Sequence, residues 1–204
     1  MKIGIIDYGA GNIGSVLQAF GAFGVKLERL RDPDALRHCD KLVLPGVGAF
    51  GDAIMQLRKS NMEQAILEFI KSGKYFLGIC VGMQLLFERG FEFGEHRGLG
   101  IFEGDVRRFD AAMLSPLKIP HIGWNLCLKQ REDERFFKGM EGGFYLYFVH
   151  SFHAIAHAKD ILATCEYGVS FPAIVQKENV YAIQPHPEKS DKNGLKLLQN
   201  FTQL

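Results

Sequence analysis

The sequence is poor in several features that mark specialised protein classes. Four of its 204 residues are cysteines (Cys39, Cys80, Cys127 and Cys165), and no two stand close together. Such scatter argues against both a zinc ribbon and a disulfide framework. No apolar run approaches the roughly 18 residues that a membrane-crossing helix needs. No charge of one sign dominates: 24 Lys and Arg against 23 Asp and Glu leave a net charge of +1. Composition therefore offers no electrostatic footprint for nucleic acid. Internal repeats, low-complexity tracts and linkers are also missing, so one domain over residues 1–204 is expected. The opening Met1-Lys2-Ile3-Gly4-Ile5-Ile6-Asp7 meets an acid too early for a secretory signal. These absences predict a cytoplasmic protein that binds neither membrane nor nucleic acid.

What is present suits a packed core. Hydrophobic residues make up 47% of the chain and charged residues 23%, the profile of a globular domain. Short apolar runs at Ile3–Ile6, Val25–Leu30, Leu42–Leu44 and Tyr75–Ile79 read as strands. Helical spacing appears over Ser15–Phe23, Met62–Ile70 and Val81–Phe87, and Asp32-Pro33-Asp34 reads as a helix start. Strands and helices alternating in units of about 30 residues imply right-handed crossovers and a parallel sheet. From Phe102 onward shorter strands follow, at Lys118–Ile122, Phe144–Val149, Ile161–Cys165, Ala173–Gln176 and Val180–Gln184. A closing helix over Asn193–Phe201 should pack back on the sheet. The expected fold is α/β: an open, mostly parallel twisted sheet flanked by helices, with additional antiparallel strands in the second half.

Three segments point to chemistry. Gly78-Ile79-Cys80-Val81-Gly82 joins a strand to a helix as a G-x-nucleophile-x-G elbow with Cys in place of Ser. A helix start beneath the sulfur favours the reactive thiolate, and the Val81 N–H faces the place where an oxyanion would form. A lone cysteine in an apolar stretch is ordinarily structural; the flanking glycines weigh against that. Gln184-Pro185-His186-Pro187-Glu188 supplies a base and an acceptor to orient it, since residues i and i+2 of an extended segment share a side. Pro45-Gly46-Val47-Gly48 ends another strand and could give a second oxyanion donor, or be a plain turn.

These segments resemble the class I (triad-type) glutamine amidotransferases. Lys118-Ile119-Pro120-His121-Ile122-Gly123-Trp124-Asn125, Tyr147-Phe148-Val149-His150-Ser151 and Asp7-Tyr8-Gly9-Ala10-Gly11-Asn12 are similar, within that family, to the glutaminase subunits of imidazole glycerol phosphate synthases. The resemblance implies Cys80 as nucleophile, His186 as general base and acid, and Glu188 as the group orienting His186. It also implies that Gly46, Val47, Gly48, Val81, Gln84, His150 and Ser151 serve the oxyanion or the L-glutamine substrate. Asn12, Pro120, Gly123, Trp124 and Asn125 would meet a cyclase subunit with a (β/α)8 barrel, in a heterodimer of histidine biosynthesis. No cofactor and no metal are implied. Val81 and Phe152 stand where the family often has Leu and Tyr.

Other readings stay open at this point. A paralogous glutaminase subunit could feed a sugar amidotransferase of surface-polysaccharide synthesis with the same triad. Gly9-Ala10-Gly11-Asn12-Ile13-Gly14 fits a dinucleotide-binding turn, which wants an acid near Glu28 or Asp32. His150, His153 and His157 have helical spacing but lie in an aromatic, β-like run. A chain of this size has room for a glutamine site and little beyond it, so a partner is expected to take the ammonia.

Overall fold

A computed structural model describes residues 1–133 and 135–204. In chain order the first half contains β1 (Lys2–Ile6), α1 (Ile13–Gly21), β2 (Lys26–Leu30) and β3 (Lys41–Gly46). It continues with α2 (Phe50–Lys59), α3 (Met62–Lys71), β4 (Phe76–Cys80) and α4 (Val81–Gln84). β3 and β4 are buried throughout and β1 nearly so, as befits strands covered on both faces. The helix start read at Asp32 is real, with Asp32 Oδ1 accepting from the Asp34 N–H, but only a 3-10 turn over Pro33–His38 follows.

Two elements depart from expectation here. α2 lies in a stretch to which the sequence reading gave no element. Its buried residues Phe50, Ala53, Ile54 and Leu57 keep helical spacing, yet Ala49 offers no side-chain cap to announce a start. The helix expected over Val81–Phe87 lasts a single turn. Leu85 and Leu86 turn their carbonyls to the N–H groups of Leu99 and Ile101, both at 2.8 Å, rather than to a following helical turn. With Leu85, Leu86 and Phe87 all fully buried, no face is left for solvent.

The remainder runs β5 (Phe87–Gly90), β6 (His96–Arg97), β7 (Phe102–Arg108), α5 (Ala111–Leu114), β8 (His121–Lys129) and β9 (Phe144–His150). Then come β10 (Phe152–Ala156), β11 (Ile161–Tyr167), β12 (Val169–Lys177), β13 (Val180–Ile183) and α6 (Asp191–Gln203). The strand expected from Lys118 begins only at His121, because Pro120 has no N–H for a ladder. Strands β10-β7-β5-β6 form a small sheet, and the other nine form one mixed sheet in the order β2-β1-β3-β4-β13-β12-β11-β8-β9. Pairing is parallel from β2 to β13 and antiparallel from β13 to β9. The antiparallel strands thus extend the parallel sheet instead of forming a layer of their own. None of the helices described is long and apolar enough to cross a membrane.

This topology sets β3, β4 and β13 side by side, with Gly46 opposite Cys80 and Ile79 opposite Ile183. Their carboxyl ends therefore open on one crevice, where α/β sheets bind ligands. Cys127 and Cys165, distant in sequence, face each other across β8 and β11 as buried free thiols.

α6 packs back as expected, with Leu197, Leu198 and Phe201 wholly buried. Its end is held by Lys41, a buried lysine at the start of β3. The Lys41 ammonium donates to the carbonyls of Phe201 (2.8 Å) and Thr202 (3.0 Å) and lies over the Phe201 ring. A cation at a helix C-terminus satisfies carbonyls that have no partner within the helix. Lys41→Met should keep the volume, strand both carbonyls and lower stability by about 1–3 kcal/mol in urea unfolding. An unchanged midpoint would contradict this account of how α6 is held.

Candidate active site

The nucleophile candidate sits at a turn that depends on two glycines. Cys80 ends β4 with φ +55° and ψ −116°, a strained conformation for an L-residue. α4 starts at the next residue and lies directly against β3. A Cβ on Gly82 would fall 1.9 Å from the Leu44 carbonyl oxygen, and one on Gly46 would fall 2.6 Å from the Gly82 nitrogen. Both neighbours are backbone and cannot yield. Gly46 thus lies beneath the elbow, and it does not line the cavity. Because α4 has one turn, the macrodipole beneath the sulfur is small. What remains is the free N–H of Val81 at the head of that turn.

His186 follows β13. The sequence reading expected an extended segment to carry Glu188 beside it. His186 is extended, but Pro187–Lys189 form a 3-10 turn, and the turn brings Glu188 back. His186 Nδ1 lies 2.8 Å from Glu188 Oε1, with both side chains buried. Glu188 Oε2 has no partner among the described residues, so there the carboxylate directs its charge to His186 alone. Burial pulls His186 down, but the Cys80 sulfur and the Glu188 carboxylate outweigh it and push the imidazole up to about 10. The segment is fastened to the edge of the sheet. The His186 N–H donates to the Tyr147 carbonyl at 2.9 Å, and the Tyr147 N–H donates to Ser190 Oγ at 2.9 Å. Ser190 Oγ donates in turn to the His186 carbonyl at 2.6 Å.

Cys80 and His186 open on a cavity of about 290 Å³. Val47, Gly48, Val81, Gln84, His150 and Ser151 line it too, as the sequence reading expected. Val47 is 41% exposed and Gly48 has φ +89°, so the end of this strand is not packed down. Gln84 Nε2 donates to the Phe152 carbonyl (3.1 Å) and to Gln184 Oε1 (3.0 Å). Both amide protons are engaged, which leaves its Oε1 to face a ligand. Burial holds the His150 imidazole down to about 3, so this ring is neutral.

The cavity also contains a charge that the sequence reading passed over. Glu92 lines the wall, and its carboxylate accepts from the Phe50 N–H at 2.9 Å, at the head of α2. An anion held there suits the ammonium of an amino acid. No spacing rule singles out Glu92, which lies in a stretch to which the sequence reading gave no element. Gln184 was visible beside His186 but was given no role; its Nε2 approaches Cys80 Sγ at 4.0 Å.

The residues expected at a partner interface divide. Pro120 lines the cavity. Trp124 is 49% exposed on β8 and meets Tyr147 edge to face at 6.0 Å. Gly123 lies in the same strand with φ +146°, and the Asn125 amide donates to the Glu166 carbonyl at 3.1 Å. Asn12 caps α1, its side chain accepting from the Ser15 N–H.

The dinucleotide reading loses its acid. Glu28 pairs with Lys2, and Asp32 is committed to capping. At the end of β2, Arg29 and Arg31 instead fold onto Asp7 at 2.7 and 2.6 Å. The spaced histidines do not converge either: His150 ends β9, His153 stacks on Phe109 in β10, and His157 pairs with Glu103.

Comparison with known proteins agrees with this geometry. The family model described as glutamine amidotransferase class-I matches residues 4–204. The "Imidazole glycerol phosphate synthase subunit HisH" of Helicobacter hepaticus is 48% identical, covering 100% of this chain and 99% of its own length. The protein of that name from Wolinella succinogenes is 48% identical, with 99% of each chain covered. That from Sulfurimonas denitrificans is 49% identical over 98% of this chain and 97% of its own. Among solved structures, a glutamine amidotransferase superposes with a TM-score of 0.76 at 19% identity, covering 98% and 97% of the two chains. PurLQS from Thermotoga maritima gives 0.77 at 18%, over 99% and 97%. At those identities the structures speak for the fold alone. The sequence relatives and the family model, both spanning nearly the whole chain, establish that it belongs to the class-I glutamine amidotransferase family, among the HisH subunits of imidazole glycerol phosphate synthase.

Proposed function

We propose that residues 1–204 act as one glutaminase unit that hydrolyses L-glutamine and delivers the ammonia to a partner subunit. The observation that carries this reading is the buried Glu188–His186 pair at 2.8 Å facing Cys80 across one cavity. Cys80, as thiolate beside the His186 imidazolium, attacks the side-chain amide carbon of glutamine. The oxyanion takes hydrogen bonds from the Val81 N–H and from the Val47–Gly48 backbone. His186 gives its proton to the leaving nitrogen, the C–N bond breaks, and ammonia departs from a γ-glutamyl thioester. His186 then takes a proton from water as its oxygen attacks the thioester carbon. The C–S bond breaks, glutamate leaves, and the thiolate–imidazolium pair is restored. Gln84 Oε1, the Glu92 carboxylate and the backbone at His150 and Ser151 hold the amino acid. Each oxyanion donor is worth about 2.7–4 kcal/mol of barrier, so one rotated peptide near Val47 is enough to silence an intact triad.

Free ammonia is protonated in water and lost as a nucleophile, which favours direct transfer. The proposed acceptor is a (β/α)8-barrel cyclase that makes imidazole glycerol phosphate and AICAR from PRFAR in the cytoplasm. An apolar face beside the cavity supports a docked partner. Ile122, Trp124, Leu126 and Leu128 project from one side of β8, each 39–59% exposed, and Tyr145 joins them from β9. Contiguous apolar surface of this kind marks interaction sites.

Three outcomes test the reading. Cys80→Ala should lower glutamine hydrolysis by the native complex at least about 10³-fold; equal ammonia release by both would sink the enzymatic assignment. Because the imidazolium must survive to protonate the leaving nitrogen, kcat/KM should hold below His186's raised pKa and fall as pH climbs through about 10. Glu188→Gln removes an anion that raises it, so the alkaline limb should move to lower pH. A limb that stays in place would remove Glu188 from this role. Finally, Leu126→Glu should weaken capture of the native partner about tenfold or more in pull-down titrations; a captured partner that is not a barrel cyclase would refute the proposed assembly.

A further inference from the structure

Two buried histidines beside the cavity are not part of the triad. His121 opens β8, His150 closes β9, and the two are cross-strand partners. His121 Nδ1 lies 3.0 Å from His150 Nε2, and His150 Nδ1 lies 2.8 Å from the Phe152 carbonyl oxygen. A carbonyl only accepts, so the His150 proton is on Nδ1. With His150 neutral, its Nε2 is a lone pair, and His121 must donate to it from Nδ1. His121 Nε2 is then a second lone pair, and it is buried with no partner among the described residues. An orphan acceptor is costly. The ring stacks on Phe148 at 4.8 Å and on Tyr167 at 4.0 Å, packing that a phenylalanine would provide without the orphan. Stability alone does not account for a histidine here.

The chain of donors continues past this pair. The Phe152 carbonyl accepts from Gln84 Nε2 as well as from His150. Gln84 Nε2 gives its other proton to Gln184 Oε1, which turns the Gln184 amide nitrogen toward Cys80 Sγ. One connected set of hydrogen bonds thus links His121 to the cavity wall and to the sulfur. We propose that His121 is a positioning residue for glutamine hydrolysis: its Nδ1 proton, donated to His150 Nε2, fixes the set of the His150 ring and so the Phe152 carbonyl that orients Gln84. The proposal rests on the glutaminase reading. Without this donor His150 Nε2 is a buried lone pair with no partner, and the ring turns to recover one, weakening its Nδ1–H bond to the Phe152 carbonyl.

Three variants separate this role from packing. His121→Phe keeps the stack and loses the donor. His121→Gln keeps an amide but moves its nitrogen to the ε position, whereas His121→Asn keeps a nitrogen at the δ position. Each is compared with wild type, in the native complex, by glutaminase kinetics and by ¹⁵N histidine spectra. The Phe and Gln variants should raise KM for glutamine about tenfold with kcat changed less, the pattern of lost ground-state binding. Their His150 Nε2 resonance should move downfield, as a lone pair that has lost its donor does, with the proton still on Nδ1. The Asn variant should stay within about twofold of wild type. If the Phe variant does not fold, the Gln and Asn pair still decides the matter. Active wild type with Phe and Gln variants of unchanged KM and unchanged His150 Nε2 resonance overturns this proposal alone, as does an Asn variant as impaired as they are. Inactive wild type brings down the glutaminase reading and the proposal with it.

Discussion

Two backbones meet in this molecule with no side chain between them. Gly82 rests against the Leu44 carbonyl, and Gly46 rests against the Gly82 nitrogen. This approach lets a helical turn begin one residue after β4, and it leaves Cys80 at the bend in a conformation that costs about 1–3 kcal/mol. Strain of that size persists only where the surroundings cannot relax. β3 and β4 meet this condition, since every residue of both is buried and the two are in register up to Gly46 and Cys80. The stiffness of the central sheet and the exposure of the sulfur to a ligand are therefore one arrangement.

Within that frame, two histidines a few ångströms from one cavity are driven in opposite directions. Both are buried, and burial alone would keep each neutral. His186 faces the Cys80 sulfur and a carboxylate whose second oxygen has no other partner among the described residues, and it is raised. His150 is lowered, because burial, helped by the neighbouring imidazoles, outweighs the Phe152 carbonyl that would favour its charged form. One ring is equipped to hold and pass a proton; the other is a neutral fixture of the wall. Environments that pull like groups apart in this way divide labour within a site.

Much of this was legible in the sequence, and the limits have physical causes. The elbow at Cys80 and the pair His186 and Glu188 could be read because local chemistry fixes them: glycines at a close approach, and a base with its acceptor two residues away. Even so, the extended geometry expected to join His186 and Glu188 was wrong in detail, since the prolines support a turn. The helix at 81–87 failed because burial on all sides removes the periodicity that marks a surface helix. Glu92, His121 and Gln184 could not be assigned, because their partners lie 29 to 104 positions away in the chain or, for Glu92, at the head of α2, 42 residues back. Non-local pairing leaves no local signature. The facing thiols of Cys127 and Cys165 escaped notice for the same reason.

β9 is the last strand of the sheet, and an uncovered last strand is an invitation to add another chain. Here several of its backbone groups are already taken. Tyr147 is engaged at both its carbonyl and its N–H, by His186 and by Ser190, and the Asn193 amide donates to the Tyr145 carbonyl. The segment that carries the proposed catalytic base thus also covers part of an open sheet edge. The same handful of bonds that holds the His186 imidazole in place also occupies backbone groups to which another strand could add.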